Sequence, residues 1–279
     1  MNSQTANVGD LFADAHQEGV VSDDSMKLLA GLDMGATIQN ALGQPAFESQ
    51  ASEVILLAMV DDDSGSIAAI REDPKRYGSP LVGPELVING HNLILDSLMK
   101  TKQAEAIMVH SRLLNKGILH PFVSLTEACQ NYRLDNKNYQ PNGMTPLFDR
   151  VAETLATVMA KVQEFSIQGI PVRAIVSIVT DGAENDSYKV KNVAQLRALV
   201  EDALRTEKYV ITAMGIDDGS TDFKTIFTNM GILPEWILTP KNSAHEIRQA
   251  YRTVSQSAVR ASQAATFSPN TMGGFGGNP

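Results

Sequence analysis

The run Val54-Ile55-Leu56-Leu57-Ala58-Met59-Val60 is apolar without a break, and it ends abruptly in Asp61-Asp62-Asp63-Ser64-Gly65-Ser66. A strand with one wet face alternates apolar and polar residues. A strand that does not alternate is covered on both faces, which calls for a mostly parallel sheet between two layers of helix. The run Val172–Thr180 is again mostly apolar and does not alternate. Between them, Ala104–Arg112 and Ile118–Leu125 read as strands joined only by Leu113-Leu114-Asn115-Lys116-Gly117. That link cannot hold a crossover helix, so these two strands run antiparallel. Tyr209–Met214 and Trp236–Leu238 complete six strands. The expectation is an α/β fold: a doubly wound, mostly parallel six-stranded sheet with one antiparallel edge strand and helices on both faces.

Helical spacing places one helix through Leu86, Leu93, Leu95, Leu98 and Met99, although Asn89-Gly90 interrupts its pattern. A long helix opens at Thr145-Pro146 and carries Leu147, Val151, Leu155, Val158, Met159 and Val162 on one face, with Pro146 suited to the first helical position. Two more span Lys189–Thr206 and Ser243–Ala264. The segment from Ile67 to Pro84 is rich in charge, Pro and Gly and reads as a long loop. Three parts follow: an N-terminal helical extension over residues 1–50, with Ser22-Asp23-Asp24 capping a helix from about Ser25; the α/β domain over 51–265; and a glycine-rich tail over 266–279, expected to be disordered.

The chain's 279 residues include 23 basic and 32 acidic ones, a net charge of −9. That balance disfavours nucleic acid and anionic membranes as partners. No apolar stretch approaches the roughly 18–20 residues of a membrane span. Met1-Asn2-Ser3-Gln4 lacks the features of a secretory leader, so the expected location is cytoplasmic. Cys129 is the only cysteine, which excludes an internal disulfide and cysteine-based metal centres. His91, His110, His120 and His245 lack zinc-site spacing, and Cys129 lacks a nucleophile signature.

In doubly wound sheets ligands sit beyond the carboxyl ends of the strands, where the strand order reverses. Here the first and fourth strands end in Asp62 and Asp181, and the crowded carboxylates and hydroxyls suit a bound divalent cation. The order Asp62-Asp63-Ser64-Gly65-Ser66 (Asp-x-Ser-x-Ser), then Thr145 before a helix, then Thr180-Asp181-Gly182 ending a strand, resembles the von Willebrand factor A domain with its metal-ion-dependent adhesion site. The likeness covers roughly residues 53–264. It implies that Asp62, Ser64, Ser66, Thr145 and Asp181 hold Mg²⁺, with Mn²⁺ or Ca²⁺ as substitutes. It further implies a non-enzymatic, metal-dependent adaptor or assembly module that captures an Asp or Glu of a protein partner, with an AAA+ ATPase or assembly component as the partner class. A shift of Thr145 toward the metal, relaxation of Asp181 and displacement of the C-terminal helix on binding are also implied.

Other readings stand beside this one. Thr145 before Pro146 suits a helix N-cap, Asp181-Gly182 suits a plain turn, and Glu184 and Asp186 suit capping or loop roles. Asp61-x-Asp63 after an apolar strand resembles the haloacid-dehalogenase phosphohydrolases, with Asp61 as nucleophile, Asp63 as acid/base and Asp217-Asp218 on Mg²⁺. A structural assembly protein is the third reading.

Overall fold

A computed structural model describes residues 7–43, 53–264, 267–270 and 272–276. Six strands form one sheet: β1 (Val54–Asp61), β2 (Ile107–Leu113), β3 (Gly117–Ser124), β4 (Val172–Thr180), β5 (Tyr209–Gly215) and β6 (Ile237–Leu238). Their order is β3-β2-β1-β4-β5-β6. All neighbours are parallel except β2 and β3, which form the expected antiparallel edge pair. Every residue of β1, β4 and β5 is buried, the mostly apolar runs carrying Arg173, Ser177, Thr180 and Thr212 in with them. The chain leaves β1 toward β2 on one side and enters β4 on the other, so a crevice opens above the carboxyl ends of β1 and β4.

The helices are α1 (Val8–Gln17), α2 (Asp23–Gly31), α3 (Gly83–Leu98), α4 (Leu125–Asn131), α5 (Leu147–Ile167), α6 (Val193–Arg205), α7 (Phe223–Asn229) and α8 (Ala244–Gln263). Asn89-Gly90 does not break α3. Gly90 is where α8 comes closest, and a Cβ there would lie 2.4 Å from the Tyr251 ring. The glycine costs helix propensity but permits the α3–α8 contact. The short helices α4 and α7 lie in stretches too brief to show a period.

Three boundaries differ from expectation for physical reasons. Helix α5 starts at Leu147 with Pro146 at its cap, and no side chain of the capping residue closes it. Helix α6 starts at Val193 rather than near Lys189 because the backbone N–H groups of Tyr188, Lys189 and Val190 all donate to the Asp149 carboxylate. Residues 104–106 form a 3₁₀ turn ahead of β2. The 67–84 segment is largely loop as expected, with a 3₁₀ turn at Ile67–Ala69 and an Arg71–Leu81 bridge.

The N-terminal helices are part of the core. Val8, Leu11, Phe12, Leu28 and Leu29 are buried in the same hydrophobic cluster as the sheet. Asp202 on α6 accepts from Ser22 N–H at 2.7 Å, Ser22 Oγ at 2.7 Å and Ser25 Oγ at 2.6 Å, fastening the start of α2. With α1 on its outer side, α5 is buried from Val151 to Phe165, and even Lys161 is 0% exposed, paired with Glu164 at 2.8 Å. Residues 1–6 and 44–52 lie outside the described part. The tail does not match the disorder expected of it where it is described. Trp236 Nε1 donates to the Pro269 carbonyl at 3.1 Å, and Phe275 meets the Trp236 ring edge-on at 5.5 Å. Arg260 donates to the Gly274 carbonyl, so two aromatic rings and one cation hold a glycine-rich strand of chain in place.

Candidate functional site

Every site residue but Thr145 owes its position to a strand end. The β1 ladder runs on into Asp62, whose N–H donates to the Val179 carbonyl at 3.0 Å, and the chain then turns sharply. Asp62 Oδ1 accepts from Ser64 N–H at 2.7 Å, an Asx-type turn. Thr180, the last residue of β4, donates its hydroxyl to Asp62 Oδ2 at 2.5 Å. Tyr139 donates to the Asp62 carbonyl and closes the turn from the far side.

From there a chain of oxygens crosses the crevice. Ser64 Oγ and Ser66 Oγ lie 2.9 Å apart, and Ser66 Oγ donates to Asp181 Oδ1 at 2.7 Å. Thr145 arrives from the loop before α5. A Cβ built on Gly182 would lie 2.8 Å from Thr145 Oγ1 and 3.6 Å from Ser66 Oγ, so those hydroxyls flank one glycine. Of the five sequence-predicted residues, Asp62, Ser64, Ser66 and Asp181 are linked by direct hydrogen bonds, and Thr145 sits against the same turn.

Thr145 does not cap α5. The first N–H groups of that helix are taken by the neighbouring loop: Phe148 N–H donates to Glu184 Oε2 at 2.7 Å and Asp149 N–H to Ser187 Oγ at 3.0 Å. Glu184 therefore caps, but it caps a helix preceding it in sequence. Capping from outside leaves the Thr145 hydroxyl available to the crevice. The loop carrying Thr145 is stapled to that carrying Asp181: Thr145 N–H donates to Asn185 Oδ1 at 2.7 Å, and Asn185 N–H to the Thr145 carbonyl at 3.2 Å.

The flanking acids have structural work. Asp61 Oδ2 pairs with His91 Nδ1 of α3 at 2.7 Å, both side chains buried. Asp63 accepts from Asn115 N–H at 2.6 Å and Lys116 N–H at 3.0 Å, pinning the β2–β3 turn. Asn115 Nδ2 in turn donates to the Met144 carbonyl at 2.8 Å, beside Gly143, whose φ of 100° is open to glycine alone. Asp217 and Asp218 accept from the N–H groups of Gly219, Ser220 and Thr221 in an exposed turn. Of the residues a haloacid-dehalogenase-type mechanism needs free, Asp61 is thus paired with the buried His91 ring, and Asp63, Asp217 and Asp218 hold backbone N–H groups.

Electrostatics fit an oxygen-ligand cation site. Burial raises the Asp62 carboxyl, with hydrogen bonds from Ser64 and Thr180 opposing it. Burial, and then the facing Asp62 charge, push Asp181 up to about 7. Two buried carboxylates sharing a crevice are costly unless a proton or a cation enters. Among the described residues no group of three or more His, Cys, Asp or Glu side chains is placed to hold a metal. The set here takes three of its five oxygens from hydroxyls. Mg²⁺ prefers oxygen ligands and keeps some of its waters, which suits two carboxylates and three hydroxyls.

Sequence reasoning gave no supporting role to Thr180, Tyr139, His91, Asn115, Asn185 and Asp149. Thr180 had a visible signal, as a hydroxyl on the last residue of a buried strand beside an acid. The others come from distant segments whose juxtaposition no local pattern reveals.

No protein-family model matches the sequence, and comparison with curated proteins returns no match. Solved structures do match. The PilB minor pilin of Streptococcus sanguinis aligns with a TM-score of 0.50 at 12% identity, over 76% of this chain and 63% of that one. The pilus adhesin SpaC of Lactobacillus rhamnosus GG, in its open conformation, aligns with a TM-score of 0.51 at 12% identity, over 76% of this chain and 30% of the adhesin. A von Willebrand factor type A structure from Catenulispora acidiphila aligns with a TM-score of 0.48 at 13% identity, over 75% of this chain and 43% of that one. The chain thus spans less than two thirds of the length of each. At such identities the likeness concerns architecture: the chain has a doubly wound, mostly parallel α/β fold that aligns with those of the minor pilin and the pilus adhesin.

Proposed function

We propose that this protein is a non-enzymatic, metal-dependent protein-binding module of adaptor or assembly type. Asp62, Ser64, Ser66, Thr145 and Asp181 would hold a Mg²⁺ ion, which supplies an electrophilic centre able to accept one more carboxylate. That carboxylate comes from an Asp or Glu of a protein partner. The observation that carries the reading is the linked series Asp62–Ser64–Ser66–Asp181, with Thr145 against Gly182, at the switch point of the sheet. The chain's own residues contribute in distinct ways. Asp62 and Asp181 provide charge, the three hydroxyls provide neutral oxygens that leave a cation under-compensated, and Thr180 and Asn185 hold the set in place. An AAA+ ATPase or other assembly component in the cytoplasm is the partner class that the family resemblance implies.

The test is a pull-down from native lysate with Mg²⁺, with chelator, and with Asp62→Ala. A partner captured only by the wild type in Mg²⁺ is the expected result. Retention of every interactor under all three conditions would refute it.

A further inference from the structure

A cavity of about 240 Å³ lies under the N-terminal extension, between α1, α5 and the start of β5. Tyr209 opens β5, whereas the oxygen crevice stands above the carboxyl ends of β1 and β4, so the two occupy opposite ends of the sheet. Phe12, Val20, Val21, Met159 and Val162 give the cavity apolar walls. Ser166, Lys208 and Tyr209 line it too, and none of the crevice oxygens does.

Its rim is fixed. Arg205 donates to the Gly19 and Val20 carbonyls at 3.2 Å each, Val20 N–H to the Ala15 carbonyl at 2.9 Å, and Asp202 fastens Ser22 just beyond. Tyr209 is 2% exposed. Val210 and Thr212 line the apolar cleft on the α8 side with Val254 and Ala258, so strand alternation turns the Tyr209 ring toward α5. Among the described residues nothing hydrogen-bonds its hydroxyl, and burial alone raises the phenol above its usual range, so it remains a neutral donor. A buried hydroxyl without a partner is costly, and the cost is relieved by an acceptor placed beside it. Lys208 Nζ donates to Ser166 Oγ at 3.1 Å, which leaves further ammonium donors unspent. The acids nearby are engaged elsewhere. Glu18 is exposed and accepts from Gln163 Nε2 at 3.1 Å, and the Glu207 carboxylate lies 3.5 Å from Ser268 Oγ of the tail.

Apolar walls with an ammonium and a phenol hydroxyl among them suit an acid head on an apolar body. A void of roughly 150 Å³ holds benzene, so this one has room for roughly ten non-hydrogen atoms. We infer that the cavity binds a small monocarboxylate with an apolar body of about eight carbons, its carboxylate ion-paired to Lys208 and accepting from the Tyr209 hydroxyl, its body held between α1 and α5. The inference is independent of the metal-dependent reading above. It makes the N-terminal extension one wall of a ligand site as well as a cover for α5.

The experiment titrates the full-length protein with octanoate and with phenylpropanoate by calorimetry, with octanol as the control for the head group. The Met159 methyl signal in carbon-13 NMR reports occupancy from the cavity wall, and circular dichroism reports folding. Saturable one-site binding of either acid, at least about tenfold tighter than that of octanol, is expected together with a shifted Met159 signal. Lys208→Met should weaken binding at least about tenfold. Tyr209→Phe removes a hydroxyl that has no protein partner, so it should weaken binding by a few-fold or more with no loss of thermal stability. Asp62→Ala should bind as the wild type does. Absence of saturable binding, a Met159 signal that does not move, equal affinity for octanol, or indifference to Lys208→Met overturns the site. Loss of binding in Asp62→Ala places the acid at the crevice and overturns it equally. Indifference to Tyr209→Phe alone overturns the part given to the hydroxyl.

Discussion

Raising the pH of the metal-free protein should make it easier to unfold, and Mg²⁺ should remove that dependence. The cause is Asp181, whose carboxyl is pushed from 3.8 up to about 7, first by burial and then by Asp62. The sign follows from linkage. Between about pH 4 and about pH 7 the folded protein keeps a proton on Asp181 that the unfolded chain has released, so stability falls as pH rises through that window. A displacement of roughly three units corresponds to about 4 kcal/mol at the limit, and to a few kcal/mol once water penetration relaxes the site. Asp62, also raised by burial, acts in the same direction. Other groups titrate over this range, so the comparison is made against Asp181→Asn. Urea unfolding of wild type and variant, each in chelator and in excess Mg²⁺ at several pH values, isolates the effect. In chelator at about pH 8 the variant should be the more stable protein by a few kcal/mol, the charge having been removed from its costly position. In Mg²⁺ the wild type should recover, gaining about 2.7 kcal/mol when the ion stands at about a hundredfold above its dissociation constant. Equal pH dependence of wild type and Asp181→Asn in chelator would refute the argument that two buried acids share an uncompensated crevice.

Gly182→Ala places a methyl 2.8 Å from Thr145 Oγ1; magnesium titration should show affinity reduced by about tenfold or more, in the range seen on disturbing the support of a metal site. Gly90→Ala drives a methyl into the Tyr251 ring, and thermal unfolding should register about 1–3 kcal/mol of destabilisation from overpacking, with magnesium binding retained. Glu153→Gln removes the charge facing Arg112, Arg150 and Lys189. Burial raises the Glu153 carboxyl, yet those three cations outweigh it and hold it below the usual range. Because Arg112 is only 1% exposed, the variant should lose about 3–5 kcal/mol in urea unfolding by leaving a buried guanidinium uncompensated.

The sheet was legible because burial on two faces leaves an unmistakable trace. Val54–Asp61 and Val172–Thr180 coincide with β1 and β4, and the short Leu113–Gly117 link set the antiparallel edge. The oxygen set was legible because its members stand at strand ends and beside a helix start, where punctuation by Gly and Pro is strong. What escaped was the supporting structure. Nothing near Asp149 reveals that it captures the N–H groups at 188–190 and shortens α6. The α5 start misled because Thr-Pro is a good local cap signal, while the groups that close that helix, Glu184 and Ser187, lie some forty residues onward. The glycine-rich tail misled through composition: its packing on Trp236 depends on Pro269, Phe275 and the Gly274 carbonyl, a handful of contacts that a glycine count hides.

The most direct test of the account is diffraction from crystals grown with Mn²⁺ in place of Mg²⁺, recorded where manganese scatters anomalously. A single strong peak enclosed by Ser64 Oγ, Ser66 Oγ, Thr145 Oγ1 and the Asp62 and Asp181 carboxylates, absent from crystals of Asp62→Ala, is the predicted result. A crevice that stays free of anomalous density at saturating manganese, or a peak away from these five oxygens, would contradict it.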